Sequence, residues 1–239
     1  MAGLYHNALY PVRDKLDEAH RDIVVSLSRP GTWWTSAERA TLAGIVRKAR
    51  RDAGIQDDSP EPASDLAEVP DSARHVVSKI AVSPETIDRS LLDDALADGL
   101  GEEAYVEAVA IAARLSNVDD FARGLGVEAP ALPPVVAGEP SRVRPAEAVD
   151  EGAWLPTVPS GEAGGETGKR LYGKEWAANI LRALSLVPDE CASIIALEEV
   201  QYRSVKTIMD FDFSHDPAIA RTQVELVAAR VSALNACFY

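Results

Sequence analysis

Aromatic residues are scarce, at 6% of the 239-residue chain, and cysteine is almost absent, with only Cys191 and Cys237. Two thiols cannot build a disulfide framework, so the chain must stabilise itself by an apolar core. Long apolar runs are also missing, which excludes a membrane span at the level of the sequence. Positive charge is in short supply: 24 Lys+Arg face 38 Asp+Glu, for a net charge of −14. A surface for nucleic acid or anionic lipid needs clustered positive charge, so neither partner is expected. The N-terminus, Met-Ala-Gly-Leu-Tyr-His, lacks the basic-then-apolar pattern of a secretory leader, and the default compartment is the cytoplasm. The sequence has no glycine-rich phosphate loop and no Gly-x-Ser-x-Gly elbow. His6, His20, His75 and His215 are scattered without metal-ligand spacing, so neither a metal nor a cofactor is expected.

What is abundant is alanine, the best helix former, and this points to an all-α protein. Residues 11–28 carry a wet face (Asp14, Lys15, Asp17, Glu18) and an apolar one (Leu16, Ile23, Val24, Leu27), and Arg29-Pro30-Gly31 ends the helix. Thr35 or Ser36 caps a second helix running to about Ala53, with Glu38 in its first turn and Leu42, Ile45 and Val46 at helical spacing. Its end, Arg47-Lys48-Ala49-Arg50-Arg51, reads as a solvated basic terminus that complements the helix dipole. Residues 54–70 are acidic and proline-interrupted, a loop. Helices resume near 72–81 and after Ser83-Pro84-Glu85, and Gly99-Leu100-Gly101 breaks the pattern. Residues 102–116 are apolar on most sides and belong at the centre of the core. Asn117-Val118-Asp119-Asp120 should cap a shorter helix ending at Gly124 or Gly126.

From 127 to 168 the texture changes. Pro130, Pro133, Pro134, Pro140, Pro145, Pro156 and Pro159 crowd this stretch with several glycines. It reads as an irregular connection docked by Trp154 and Leu155, dividing the chain into two helical halves. Helices are expected over 173–187 and 189–205, and a last one from near Asp216-Pro217. That last helix has a seam of Val227, Val231, Leu234 and Phe238, recurring at +4, +3, +4, and Asn235 is a suitable breaker.

This final stretch, Glu225 through Arg230-Val-Ser-Ala-Leu-Asn-Ala-Cys237-Phe-Tyr239, resembles the carboxymuconolactone decarboxylase and alkylhydroperoxidase (AhpD-like) superfamily. Trp33-Trp34-Thr35-Ser36-Ala37-Glu38-Arg39, Tyr105-Val106-Glu107, Phe121–Gly126, Gly138–Arg142, Ala153–Pro156 and Arg182–Pro188 are similar to its longer, two-half members. The likeness covers roughly residues 29–239. It implies an all-α AhpD-like helical bundle that oligomerises, and paired cysteines engaged in thiol–disulfide exchange. It also implies a glutamate and a histidine that relay protons. Glu225 matches the glutamate and Cys237 the first cysteine. The second cysteine would follow Tyr239; neither it nor the histidine is among these residues. Glu225 and Cys237 are twelve residues apart, roughly 18 Å of unbroken helix, too far to share a proton directly.

The expected organisation is then an N-terminal helical segment (1–28), a first AhpD-like half (29–126), the Pro/Gly-rich connection (127–168), and a second half with an incomplete motif (169–239). The function implied is thiol-dependent peroxide reduction, impaired here, with a protein thiol reductant and a second copy of the chain as partners. Two other readings stay open. One is a non-redox enzyme of the decarboxylase branch acting on a small carboxylic acid, with Arg182 or Arg230 as anion partner. The other is a non-catalytic oligomeric scaffold. Cys191 reads as a small core residue, and Glu107 as either a buried acid or a helix-edge residue.

Overall fold

The computed structural model describes residues 3–56, 59–60, 67–173, 176–202, 207, 210–214 and 218–237. The fold is all-α. Among the described residues there are nine α-helices and no strand, only one isolated antiparallel bridge between Val149 and Thr157. The helices are α1 (Asp14–Ser26), α2 (Ser36–Asp52), α3 (Asp71–Val82), α4 (Arg89–Ala97), α5 (Glu102–Gly124), α6 (Gly165–Tyr172), α7 (Asn179–Arg182), α8 (Pro188–Gln201) and α9 (Arg221–Leu234). No helix among the described residues is long and apolar enough to cross a membrane.

The main core lies where α2, α3 and α5 pack together, with α1 and α4 closing its sides. Leu27, Leu42, Val46, Val76, Val77, Leu92, Ile111, Leu115 and Val118 are buried there. Burying each such side chain fully is worth about 1.5–3 kcal/mol, which is why the apolar α5 occupies the middle. α2 begins as its sequence requires. Thr35 Oγ1 accepts from the Glu38 amide at 3.3 Å, and Glu38 Oε2 accepts from the Thr35 amide at 2.7 Å, a reciprocal cap.

Several sequence expectations need correction. α5 runs unbroken through Asn117-Val118-Asp119-Asp120, because the last three of these meet tertiary partners instead of capping a new helix. Val118 joins the core, and Asp119 and Asp120 pair with arginines of α2. Ser83-Pro84-Glu85 opens only a single 3₁₀ turn (Pro84–Thr86); α4 starts later, where Asp88 Oδ1 accepts from the Ser90 amide at 2.9 Å. Residues 173–187 are not one helix. α6 stops at Gly173, whose φ of +72° suits glycine, and only the short α7 follows. α8 begins at Pro188, with Asp189 in its first turn rather than at the cap. Asp216, Pro217 and the end of the 189–205 helix, residues 203–205, lie outside the described residues.

The 127–168 connection is irregular up to Ser160 and then turns into the start of α6. It is tied to the body by named bonds. Val136 N donates to Ser28 O and Arg142 N to Thr32 O, both at 2.8 Å, and the Ser28 hydroxyl donates to Pro133 O at 2.7 Å. Leu132 is buried in the main core. Leu155 packs against both apolar clusters, but Trp154 stays 46% exposed, so of the expected pair Leu155 is the one that docks. α8 then lies against α1, α5 and α6 and brings the second half of the chain onto the first.

Candidate functional site

The two residues singled out by the motif sit on a helix that packs on none of the other described helices. α9 is unbroken from Glu225 to Leu234, roughly 13 Å along its axis, and Cys237 lies three residues beyond that end. Glu225 is half-buried. Both its carboxylate oxygens accept from the Tyr202 hydroxyl at 3.1 Å, and Arg221 Nε donates to it from one turn earlier. Arg221 also donates to Asp210 O at 3.1 Å and lies over the Phe211 ring. Asn235 ends α9, its side-chain amide donating to Val231 O at 2.9 Å. Ala236 follows with φ of +48°, and Cys237 comes next, exposed, its amide donating to Ser232 O at 2.9 Å. The seam residues Val227, Val231 and Leu234 are exposed, as is Leu226. Phe238 and His215 lie outside the described residues.

Cys191 is the opposite kind of thiol. It is fully buried in the first turn of α8 and donates to Leu181 O at 3.2 Å. Burial pushes its thiol up to about 12, so it is held as the unreactive acid form.

The most densely built polar constellation lies elsewhere, in the body. Arg39 of α2 reaches Glu107 of α5 and Glu190 of α8, the latter at 2.9 Å. Arg114 of α5 pairs with the second oxygen of Glu190 and donates to the Ser193 hydroxyl at 2.8 Å. Glu107 Oε2 accepts from the Trp33 amide at 2.6 Å. All four charged side chains are 6% exposed or less. Burial raises the Glu107 carboxyl above the usual carboxylate range, and Arg39 only partly offsets it. Burial also acts on Glu190, but Arg114 and Arg39 together outweigh it, and its pKa is lowered. Two guanidiniums and two carboxyls thus join three helices through charge-assisted bonds. The chain passes it at Gly31, where any β-carbon would collide with Glu107 Oε1 and Arg39 Nη1. A polar cleft of about 450 Å³ opens beside it, with Ser26, Arg29, Asp189 and Ser193 among its walls. Glu107 is thus the buried acid of the two readings the sequence left open.

A second ionic cluster overturns the reading of the basic end of α2. Arg47 is 1% exposed and holds Asp119 through two bonds of 2.9 and 2.8 Å, while also donating to Pro130 O. Arg50 is buried and pairs with Asp120. Only Lys48 behaves as expected, exposed and paired with Asp52 one turn on.

A third feature is an apolar cavity of about 650 Å³ between α4, α5 and the segments 151–157 and 179–184. Arg182 stands in its wall, bound to Glu151 and to Asn179 Oδ1. The charge the sequence offered for an organic anion is therefore already matched; Arg230, the other candidate, is exposed on α9. Among the described residues no group of three or more His, Cys, Asp or Glu could hold a metal ion.

Sequence reasoning passed over Arg39, Arg114 and Glu190 as chemistry. The signal was present, since Arg39 and Arg50 lie on the same face of α2 as Leu42, Ala43 and Val46. Comparison of the chain with protein-family models, curated proteins and solved structures gives no match in any of the three. The fold and these clusters define an all-α protein with an ionic core and an accessible thiol just past the end of a helix that packs on none of the other described helices.

Proposed function

We propose that this chain is an AhpD-like, peroxidase-related protein in which Cys237 is the peroxide-reactive thiol and Glu225 the matching proton-handling carboxylate, with impaired turnover. The observation that carries the reading is the contrast between the two thiols: Cys237 is exposed beside the motif helix, and Cys191 is sealed in the body. In the reaction, the Cys237 thiolate attacks one peroxide oxygen and the O–O bond breaks. Sulfenic acid forms on the protein, and the other oxygen leaves as alcohol or water after taking a proton. Return to the thiol needs two further thiol equivalents from a reductant protein, with release of water. Glu225 stands far from Cys237 along α9, so direct proton handling is lacking within one chain, which supports impairment. The exposed face of Leu226, Val227, Val231 and Leu234 supports a homo-oligomer formed through α9. A cytoplasmic setting, where single thiols stay reduced, suits this chemistry.

The test is one equivalent of tert-butyl hydroperoxide per chain, with dimedone trapping and peptide mass spectrometry. The expected result is a single burst with dimedone on Cys237, unchanged in Cys191→Ser and lost in Cys237→Ser. A burst that persists in Cys237→Ser would overturn the reading.

A further inference from the structure

The cavity between α4, α5 and the 151–157 and 179–184 segments is not used by the thiol reading. Its size, about 650 Å³, is within the range of small-molecule sites, and its walls are mainly apolar, including Val106, Val109 and Leu184. Two groups in these walls have a donor hydrogen that the described residues leave unused. Tyr105 lines the cavity, and its hydroxyl makes no hydrogen bond to the described residues. Arg182 Nε is buried and likewise has no partner, although the rest of that guanidinium is engaged by Glu151 and Asn179. Both groups can donate to a neutral oxygen. Because Glu151 already balances Arg182, an anion entering here would lose hydration and find no spare positive charge. Trp154 and Ile180, 46% and 57% exposed, add large apolar groups to the walls where they meet solvent.

We propose that this cavity binds an uncharged, ring-sized apolar molecule carrying one carbonyl or hydroxyl oxygen, which is held by the Tyr105 hydroxyl and Arg182 Nε–H. The site is independent of Cys237, and it speaks against the small-carboxylate reading of Arg182.

The probe is N-phenyl-1-naphthylamine, neutral and fluorescent when it leaves water, titrated into the full chain at pH 7. The competitors are 2-naphthol and 2-naphthoate, which share a ring body and differ in charge. The expected result is binding of the probe, with 2-naphthol displacing it at a concentration at least about tenfold lower than 2-naphthoate, an affinity difference of about 1.4 kcal/mol. Tyr105→Phe should weaken 2-naphthol several-fold and leave the probe unchanged. Ile180→Lys, at an exposed wall position that folding does not depend on, should weaken the probe at least about fivefold with an unchanged melting temperature. Cys237→Ser should bind like the parent chain, which separates this site from the thiol chemistry. The proposal fails if the probe does not bind, if 2-naphthoate competes as well as 2-naphthol, or if folded Ile180→Lys binds the probe unchanged.

Discussion

α2 and α9 are both helices with an aliphatic seam and interspersed charge, yet the protein treats them in opposite ways. α2 buries not only Leu42 and Val46 but also Arg39, Arg47 and Arg50, because α5 and α8 present Glu107, Asp119, Asp120 and Glu190 to them. α9 leaves Leu226 71% and Leu234 65% exposed, because no described helix packs on it. Burial here is decided by the partner an element meets, more than by its own residue types. A charge with two well-placed counter-charges is inside, and a leucine with no neighbour is outside.

The contrast is broken most severely at Glu190. Glu190→Leu leaves Arg39 and Arg114 buried without it, which costs about 3–5 kcal/mol and lowers the melting temperature by roughly 6–20 °C. Calorimetry of the variant checks this, and an unchanged melt would show that the cluster does not hold the helices together. Gly31→Ala comes next. Its β-carbon forces Glu107 and Arg39 to move, an overpacking cost of about 1–3 kcal/mol, measurable by urea unfolding.

A smaller effect is expected at His20, which is buried in α1, bonded through Nδ1 to the Tyr5 hydroxyl at 2.6 Å, and edged by Phe121. Burial lowers its pKa to about 4, with Asp17 opposing the shift. The unfolded chain takes up the proton first as pH falls, so this contribution is complete above about pH 6.5 and declines between there and pH 4. Unfolding midpoints across that window should fall more steeply for the parent than for His20→Gln; equal slopes would remove His20 from the account. The smallest effect belongs to α9. Leu226→Lys should change stability by no more than about 0.5 kcal/mol, while lowering the apparent mass in light scattering if α9 forms the oligomer contact. A large loss of stability there would mean that the helix is packed within one chain.

The helical elements of the first half were legible because their apolar residues recur at helical spacing and Thr35 and Glu38 mark the start of α2. What misled was chemistry read without partners. Arg47 and Arg50 look like a solvated helix end in isolation, and only the fold shows Asp119 and Asp120 opposite them. Those same aspartates look like a helix start until their oxygens are found to be committed across α5 to α2. Glu107 stood out on an apolar helix, but Glu190, sixty positions beyond Pro130 and next to Cys191, gave no local sign of belonging with it. In the second half, the apolar pattern of 173–187 overstated helix, because Gly173 turns the chain into a conformation that ends α6. Cys237 and Glu225 were legible as a motif but not as a pair, since nine residues of α9 lie between Glu225 and the helix end at Leu234, and Cys237 comes after it.

The protein divides into a closed ionic body and an open α9, and hydrogen exchange followed by mass spectrometry at submicromolar concentration tests that division directly. Amides of α5 around Ile111 and Leu115 should open only with global unfolding, while those of α9 between Glu225 and Leu234 should exchange orders of magnitude faster. Protection of α9 equal to that of α5 in the dilute, monomeric chain would contradict it.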